Sequence, residues 1–324
     1  MKVFLIGKTD QNAGPANVTK EIIRNSDGRM MHTHYSNNKL LAVEIFFKSF
    51  FTDVFIISGI IRWPVVKFIR KFHKPIIYIM HGCLDYEDDI NHLHAMPIEH
   101  VSEKYILDNV DKILCVSELY SEWVKNRFPQ YKEKISFLDN GLDIEPRKRV
   151  TKITHSVAVA GGNRQIKNNS EVCKAIELLN KQGFDCTLSI FGWRYPDGEN
   201  LTAYPHCKYM GQLDKKEYYS LLDKNALFVI NSEIEPFGLI TGDALNCHCS
   251  ILFSKHVGSS GIVRTEDCDF IEDQHNPERI AVSIRYCLEH SNADRLLDSV
   301  DVHKCSGAFQ YQKLMNICKK IIIK

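Results

Sequence analysis

Short, continuously apolar runs that stop at a glycine or a polar residue recur through both halves of the chain, and each is followed by a stretch of helical period. In the first half they are Val3-Phe4-Leu5-Ile6 before Gly7, Val54-Phe55-Ile56-Ile57 before Ser58, Ile76-Ile77-Tyr78-Ile79-Met80 before His81, and Ile113-Leu114-Cys115-Val116 before Ser117. Runs apolar at every position are strands buried on both faces, and strands alternating with helices build a parallel sheet. The pattern restarts at Val157-Ala158-Val159-Ala160 before Gly161 and continues at residues 187–192, 227–230 and 250–254. A polar, basic stretch at 146–152 has no apolar period and reads as a linker. The expectation is an α/β protein of two doubly wound units, 1–150 and 151–305, with a basic helical segment at 306–324. The 324 residues suffice for two cores of ordinary size.

Composition excludes several function classes. A formal net charge of +1 gives no global field to recruit nucleic acid. The eleven cysteines are scattered and odd in number, and with no secretory h-region they read as reduced thiols of a cytoplasmic protein. In such a compartment the sequons at Asn168 and Asn200 carry no meaning. Cys247-His248-Cys249 and His303-Lys304-Cys305 lack zinc-ligand spacing. No apolar run reaches the roughly 18 residues of a membrane span, because Lys48 and Asp53 interrupt the most apolar region. Residues 62–75 interleave Trp63, Val65, Val66, Phe68, Ile69 and Phe72 with Arg62, Lys67, Arg70, Lys71 and Lys74. That pattern suits either a helix packed on a sheet with a solvated basic face or a peripheral contact with an anionic membrane.

Nucleotide motifs are near misses. Gly7-Lys8-Thr9 resembles the tail of a phosphate-binding P-loop, but Lys2 stands where the loop needs glycine. Gly161-Gly162 lacks the G-x-G-x-x-G of a dinucleotide site. Asp267-Cys268-Asp269 has the form of a metal-binding D-x-D but falls in a late loop, and no metal is expected.

The most informative segment is 227–243. An apolar strand, Leu227 to Ile230, enters a polar turn holding Ser232 and Glu235, and Pro236-Phe237-Gly238-Leu239 then reads as a helix start. Free amides and the dipole at a helix N-terminus favour a phosphate. Asp243 follows Glu235 by eight residues, which at helical rise is roughly 12 Å, enough to separate a hexose from the ribose of a sugar nucleotide.

Ser232-x-x-Glu235-Pro-Phe-Gly with an acid at 243 resembles the E-x7-E signature of retaining glycosyltransferases of the GT-B fold, in the family 4, or group 1, class. Here the second acid is aspartate, one methylene short. The resemblance covers most of the chain and is strongest from Val157 to Gly261. It implies two Rossmann-like domains facing each other across a cleft, the second binding a nucleotide sugar and the terminal helix crossing back to the first. It also implies roles. Glu235 holds the donor hexose and Asp243 the ribose. Gly162, Arg164, Lys167 and the amides of Phe237, Gly238 and Leu239 hold the diphosphate, in place of a metal. His81, ending a strand before Gly82, contacts the donor sugar, and Gly14 lies in the loop near the diphosphate and acceptor. Asn140-Gly141-Leu142-Asp143 and Val257-Gly258-Ser259-Ser260-Gly261 occupy the places of two further family segments. The implied activity is metal-independent transfer of a hexose or N-acetylhexosamine from a UDP-sugar to a glycan, lipid-linked where 62–75 meets a membrane, in bacterial surface polysaccharide (O-antigen or capsule) assembly. An epimerase on the same fold and a non-catalytic partner subunit are the alternatives.

Overall fold

The computed structural model describes residues 1–10, 14–34, 38–91 and 95–323. The chain divides into two compact units, one of Met1–Asp88, Leu93–Leu142 and His303–Lys324, the other of Asp89–His92 and Asp143–Val302.

In the first unit the strands are β1 (Val3–Gly7), β2 (Met31–His32), β3 (Val54–Ser58), β4 (Ile76–Met80), β5 (Lys112–Cys115) and β6 (Ile135–Phe137). They form one parallel sheet in the order β2-β1-β3-β4-β5-β6. Every residue of β3 and β4 is buried, as continuous apolar runs require when helices cover both faces. The helices of this part of the chain are α1 (Gly14–Arg24), α2 (Asn38–Ser49), α3 (Trp63–Arg70), α4 (Leu84–Asn91), α5 (Pro97–Asn109) and α6 (Glu118–Arg127).

The second unit repeats the scheme with β7 (Ser156–Ala160), β8 (Thr187–Phe191), β9 (Cys207–Gly211), β10 (Leu227–Ile230) and β11 (Ser250–Phe253), parallel in the order β11-β10-β7-β8-β9. Its helices are α7 (Asn169–Lys181), α8 (Lys215–Leu222), α9 (Ile240–Asn246), α10 (Pro277–Glu289) and α11 (Ala293–Asp298), before α12 (Val302–Cys305) and α13 (Gly307–Ile323). Val157, Val159, Ile176, Leu188, Ile190, Val229, Leu252 and Ile284 meet in its core.

The expected linker at 146–152 instead belongs to the second unit, and the division falls at 142/143. Hydrogen bonds explain the shift: Arg147 donates its amide to Asn246 O at 2.8 Å and its guanidinium to Asp223, and Ile153 donates to Lys224 O. The chain returns to the first unit at 303, where α13 packs on α1 and Leu142 donates to Cys305 O at 2.8 Å. Residues 62–75 form a helix only as far as Arg70, and Val66 and Ile69 are fully buried against its unit. Six large apolar side chains left exposed lie together on and just after α2: Leu40, Val43, Phe46, Phe47, Phe50 and Phe51. No helix of the described residues is long and apolar enough to cross a membrane.

Candidate functional site

The β7–β8–β9 and β10–β11 branches run in opposite directions across the second sheet, so strand order reverses between β7 and β10. Loops leaving two strands at such a point diverge and open a crevice at the strands' C-terminal ends. A cavity of about 180 Å³ lies there, lined by Ala160 at the end of β7 and Gly161 after it, by Ile230 at the end of β10 with Asn231 and Ser232 after it, and by Arg164, Lys167 and Glu235.

Local geometry sets these groups. Gly161 adopts φ +93°, and a Cβ on it would sit 2.7 Å from Lys167 Cγ, so the lysine stem lies on bare backbone. Asn168 takes the left-handed conformation at φ 48°, which ends the turn at Gln165–Lys167 and starts α7. Its amide donates to Asn231 O at 3.2 Å and Glu233 Oε1 at 2.7 Å, and Glu233 N donates to Ile166 O at 2.8 Å. These bonds fasten the β7 loop to the β10 loop. Glu235 is held in turn by its amide on His256 O and its carbonyl on Gly258 N, both at 2.9 Å.

Lys167 Nζ and Glu235 Oε2 form an ion pair between side chains only 13% and 18% exposed. Ser232 Oγ lies 3.5 Å from the same carboxylate oxygen. The Arg164 guanidinium makes no ion pair or hydrogen bond among the described residues, and the amides of Phe237, Gly238 and Leu239 donate to none of them. An unengaged guanidinium, an ammonium and successive free amides around one crevice make a site for a dense anion such as a diphosphate.

The expected helix start at Pro236 is displaced. Residues 236–239 form a turn, with Gly238 at φ +94°, and α9 begins at Ile240. Glycine is needed there because a Cβ would lie 3.0 Å from Ser259 Oγ and 3.1 Å from Glu235 Cγ. Gly238 and Leu239 line the cavity, while the Phe237 side chain is buried in the fold. Gly162 lies outside the lining: it donates to Phe191 O at 2.8 Å, and a Cβ on it would fall 2.0 Å from Trp193 O. Asp243 also lies outside. Its oxygens accept from Tyr219 OH at 2.5 Å and Tyr218 OH at 3.3 Å, both on α8. Burial holds its carboxyl above the ordinary range despite those bonds. Sequence reasoning missed Gly161 and Asn169 in the lining; Asn169 Nδ2 bonds Gly162 O at 2.7 Å.

Asp269 is buried and receives Arg295 Nη2 at 2.6 and 2.8 Å and Asn292 Nδ2 at 2.7 Å, so the D-x-D segment is a structural knot. No group of three or more histidine, cysteine, aspartate or glutamate residues among the described residues could hold a metal ion.

In the first sheet the order reverses between β1 and β3. Gly7 and Ser58 end those strands, and His81 follows β4. Ser58 Oγ lies 2.9 Å from His81 Nε2, and burial pushes the imidazole down to about 4, leaving it neutral at pH 7. Gly14 is the first residue of α1, with no atom within 4 Å of where its Cβ would be.

The two doubly wound sheets belong to the GT-B fold. HepE of Anabaena, solved with UDP-glucose, matches with TM-score 0.70 at 14% identity, covering 99% of this chain and 100% of that one. A glycosyltransferase of Rickettsia africae gives 0.68 at 15% identity over 99% of this chain and 98% of its own. WaaG, a glycosyltransferase involved in lipopolysaccharide biosynthesis, gives 0.66 at 12% over 98% and 99%. No protein of curated function matches the sequence significantly. Residues 152–298, the span that builds the cavity, match the family described as Glycosyl transferases group 1. The second unit is therefore similar to a group 1 glycosyltransferase domain, and the chain as a whole has the GT-B fold.

Proposed function

We propose that the chain is a retaining hexosyltransferase (EC 2.4) that moves a hexose or N-acetylhexosamine from a UDP-sugar to a lipid-linked glycan, without a metal ion, at the cytoplasmic face of a membrane where O-antigen or capsule is assembled. The observation that carries this reading is the anion-binding crevice at the β7/β10 reversal, with Glu235 held inside it by Lys167. HepE bound to UDP-glucose and the lipopolysaccharide role of WaaG support the donor and acceptor classes.

In this reading Arg164, Lys167 and the amides of residues 237–239 hold the diphosphate and oppose the charge that grows on it as the bond from the anomeric carbon to phosphate oxygen breaks. Glu235 hydrogen-bonds the hexose and offsets its oxocarbenium-like charge. The acceptor hydroxyl attacks the same face and gives its proton to the departing phosphate, so configuration is retained. Asp243, whose oxygens each keep a lone pair beside the tyrosine hydroxyls, takes the ribose. Thermal denaturation with UDP, GDP, CDP, ADP and NAD, with and without Mg²⁺, tests the reading. UDP at about 100 times its dissociation constant is expected to add roughly 2.7 kcal/mol of stability, indifferent to Mg²⁺. No shift with any nucleotide favours the non-catalytic partner, and a Mg²⁺-dependent shift removes the metal-free mechanism.

The membrane-facing surface in this reading is α2 and not the packed face of α3. Phe47 and Phe51 are 62% and 63% exposed, and the rings of Phe46 and Phe50 touch Phe68 and Phe72 at centroid distances of 6.2 and 5.5 Å. The exposed Lys67 and Lys71, on and just after α3, and Lys2 at 5.6 Å from the Phe51 ring, supply positive charge for anionic headgroups. The full chain is expected to float with vesicles containing anionic lipid, and the double variant Phe47→Ser/Phe51→Ser to stay behind. Equal flotation of the two proteins removes α2 as the contact.

A further inference from the structure

Four groups at the strand-order reversal of the first sheet form one hydrogen-bonded chain. Thr19 Oγ1 donates to Pro15 O at 2.9 Å, Thr19 Oγ1 and Ser58 Oγ lie 2.8 Å apart, and Ser58 Oγ lies 2.9 Å from His81 Nε2. Thr19 and Ser58 are buried, so no solvent competes for their protons. Packing fixes the chain in place. A Cβ on Gly7 would sit 3.1 Å from both Ser58 Cβ and Thr19 Cγ2, and one on Gly59 would meet the His81 ring edge at Cδ2, 3.8 Å away.

The polarity of this chain follows from its last member. A carbonyl oxygen has no proton to give, so the contact to Pro15 O is a hydrogen bond only when Thr19 donates it. Thr19 then has only lone pairs to offer Ser58, which must donate to it. Ser58 has no second proton, so it accepts from His81, and Nε2 carries the hydrogen. This direction makes three hydrogen bonds, whereas the reverse makes two and sets two acceptor oxygens against each other. His81 Nδ1 is left as a bare lone pair and makes no hydrogen bond among the described residues.

We propose that Thr19 and Ser58 are positioning residues that hold His81 as the tautomer protonated at Nε2, so that Nδ1 accepts a hydrogen bond from a hydroxyl of the sugar substrate. The substrate half rests on the transferase reading, and the tautomer does not.

The test is a ¹H–¹⁵N long-range correlation spectrum of the histidine-labelled full chain, with the His81 signal assigned by its loss in His81→Asn. Nε2 is expected to carry the proton. Thr19→Val keeps the volume but removes the acceptor for the Ser58 hydroxyl, which then turns toward Nε2. His81 is expected to shift toward the Nδ1-protonated form, and transfer to fall roughly 10-fold, the effect of one lost hydrogen bond. Thr19→Ser, which restores the hydroxyl, is expected to restore both. If Thr19→Val fails to fold, Ser58→Ala serves, and it is expected to release the tautomer preference likewise. A wild-type proton on Nδ1, or an unchanged tautomer in the folded variants, overturns the proposal. A tautomer change with unchanged transfer overturns its substrate half. Absence of turnover of any nucleotide sugar by the wild type refutes the transferase reading and leaves the spectrum to decide the tautomer.

Discussion

Glu235→Gln is expected to cut transfer by roughly 10²–10³-fold, the usual cost of one preorganised electrostatic group, while UDP binds at least as tightly as before. Lys167→Met is expected to lose transfer by a similar factor and to weaken UDP about 10-fold or more, as removal of a charge-assisted contact does. The opposite signs on UDP follow from the ion pair. Without a donor, the Lys167 ammonium is shared with the Glu235 carboxylate in a place largely closed to water. A diphosphate competes for that ammonium, so neutralising Glu235 at constant shape frees the cation for it. Removing Lys167 instead leaves the carboxylate without its counter-charge beside the incoming anion, and repulsion adds to the lost contact. Calorimetry with UDP and a radiolabelled transfer assay read the two quantities separately. Parallel loss of UDP affinity in both variants would remove the competition, and parental turnover in Glu235→Gln would remove Glu235 from the mechanism.

What could be read in the sequence divides along the same physical line in fold and site. Strands buried on both faces announce themselves, because every residue must be apolar, and β1, β3, β4, β7, β10 and β11 lie where the runs lie. The edge strand β9, Cys207–Gly211, is half-exposed along its length and carries no such run, and β2 is two residues long. Arg164, Lys167, Glu235, Gly238 and Leu239 were legible as one group through the family resemblance that their motifs carry, and the fold brings the two strand-end loops that hold them together. The hold on Asp243 was not, since its partners Tyr218 and Tyr219 sit 24–25 residues earlier on another helix. The relay from Thr19 to His81 joins α1, β3 and the end of β4, and only the polar residues at two buried strand ends hinted at it. Periodicity left two readings open at 62–75 because it measures amphipathicity and not which face is covered: α3 buries Val66 and Ile69, as a helix packed on the sheet does, while the more uniformly apolar α2 leaves its phenylalanines outside.

Two adjacent glycines of the β7 loop should separate cleanly. Gly162→Ala is expected to destabilise the protein by roughly 3–5 kcal/mol, in the range reserved for backbone conflict at a special conformation. Its new Cβ would lie 2.0 Å from the Trp193 carbonyl oxygen, a contact that no side-chain rotation relieves, at a φ of +63°. That carbonyl is itself fixed, since Tyr209 OH donates to it at 2.6 Å and Gly192 donates to Gly211 O at 3.0 Å. Gly161→Ala meets only the flexible stem of Lys167, with its Cβ 2.7 Å from Cγ, so the expected cost in stability is smaller, about 1–2 kcal/mol for the strained φ of +93°. The lysine, however, must move, and UDP affinity is expected to fall several-fold. Urea denaturation and UDP calorimetry on both variants decide between support and contact. A Gly162→Ala protein of parental stability that has lost UDP would make Gly162 part of the diphosphate site after all, because the glycine would then be serving a ligand's approach and not the carbonyl of Trp193.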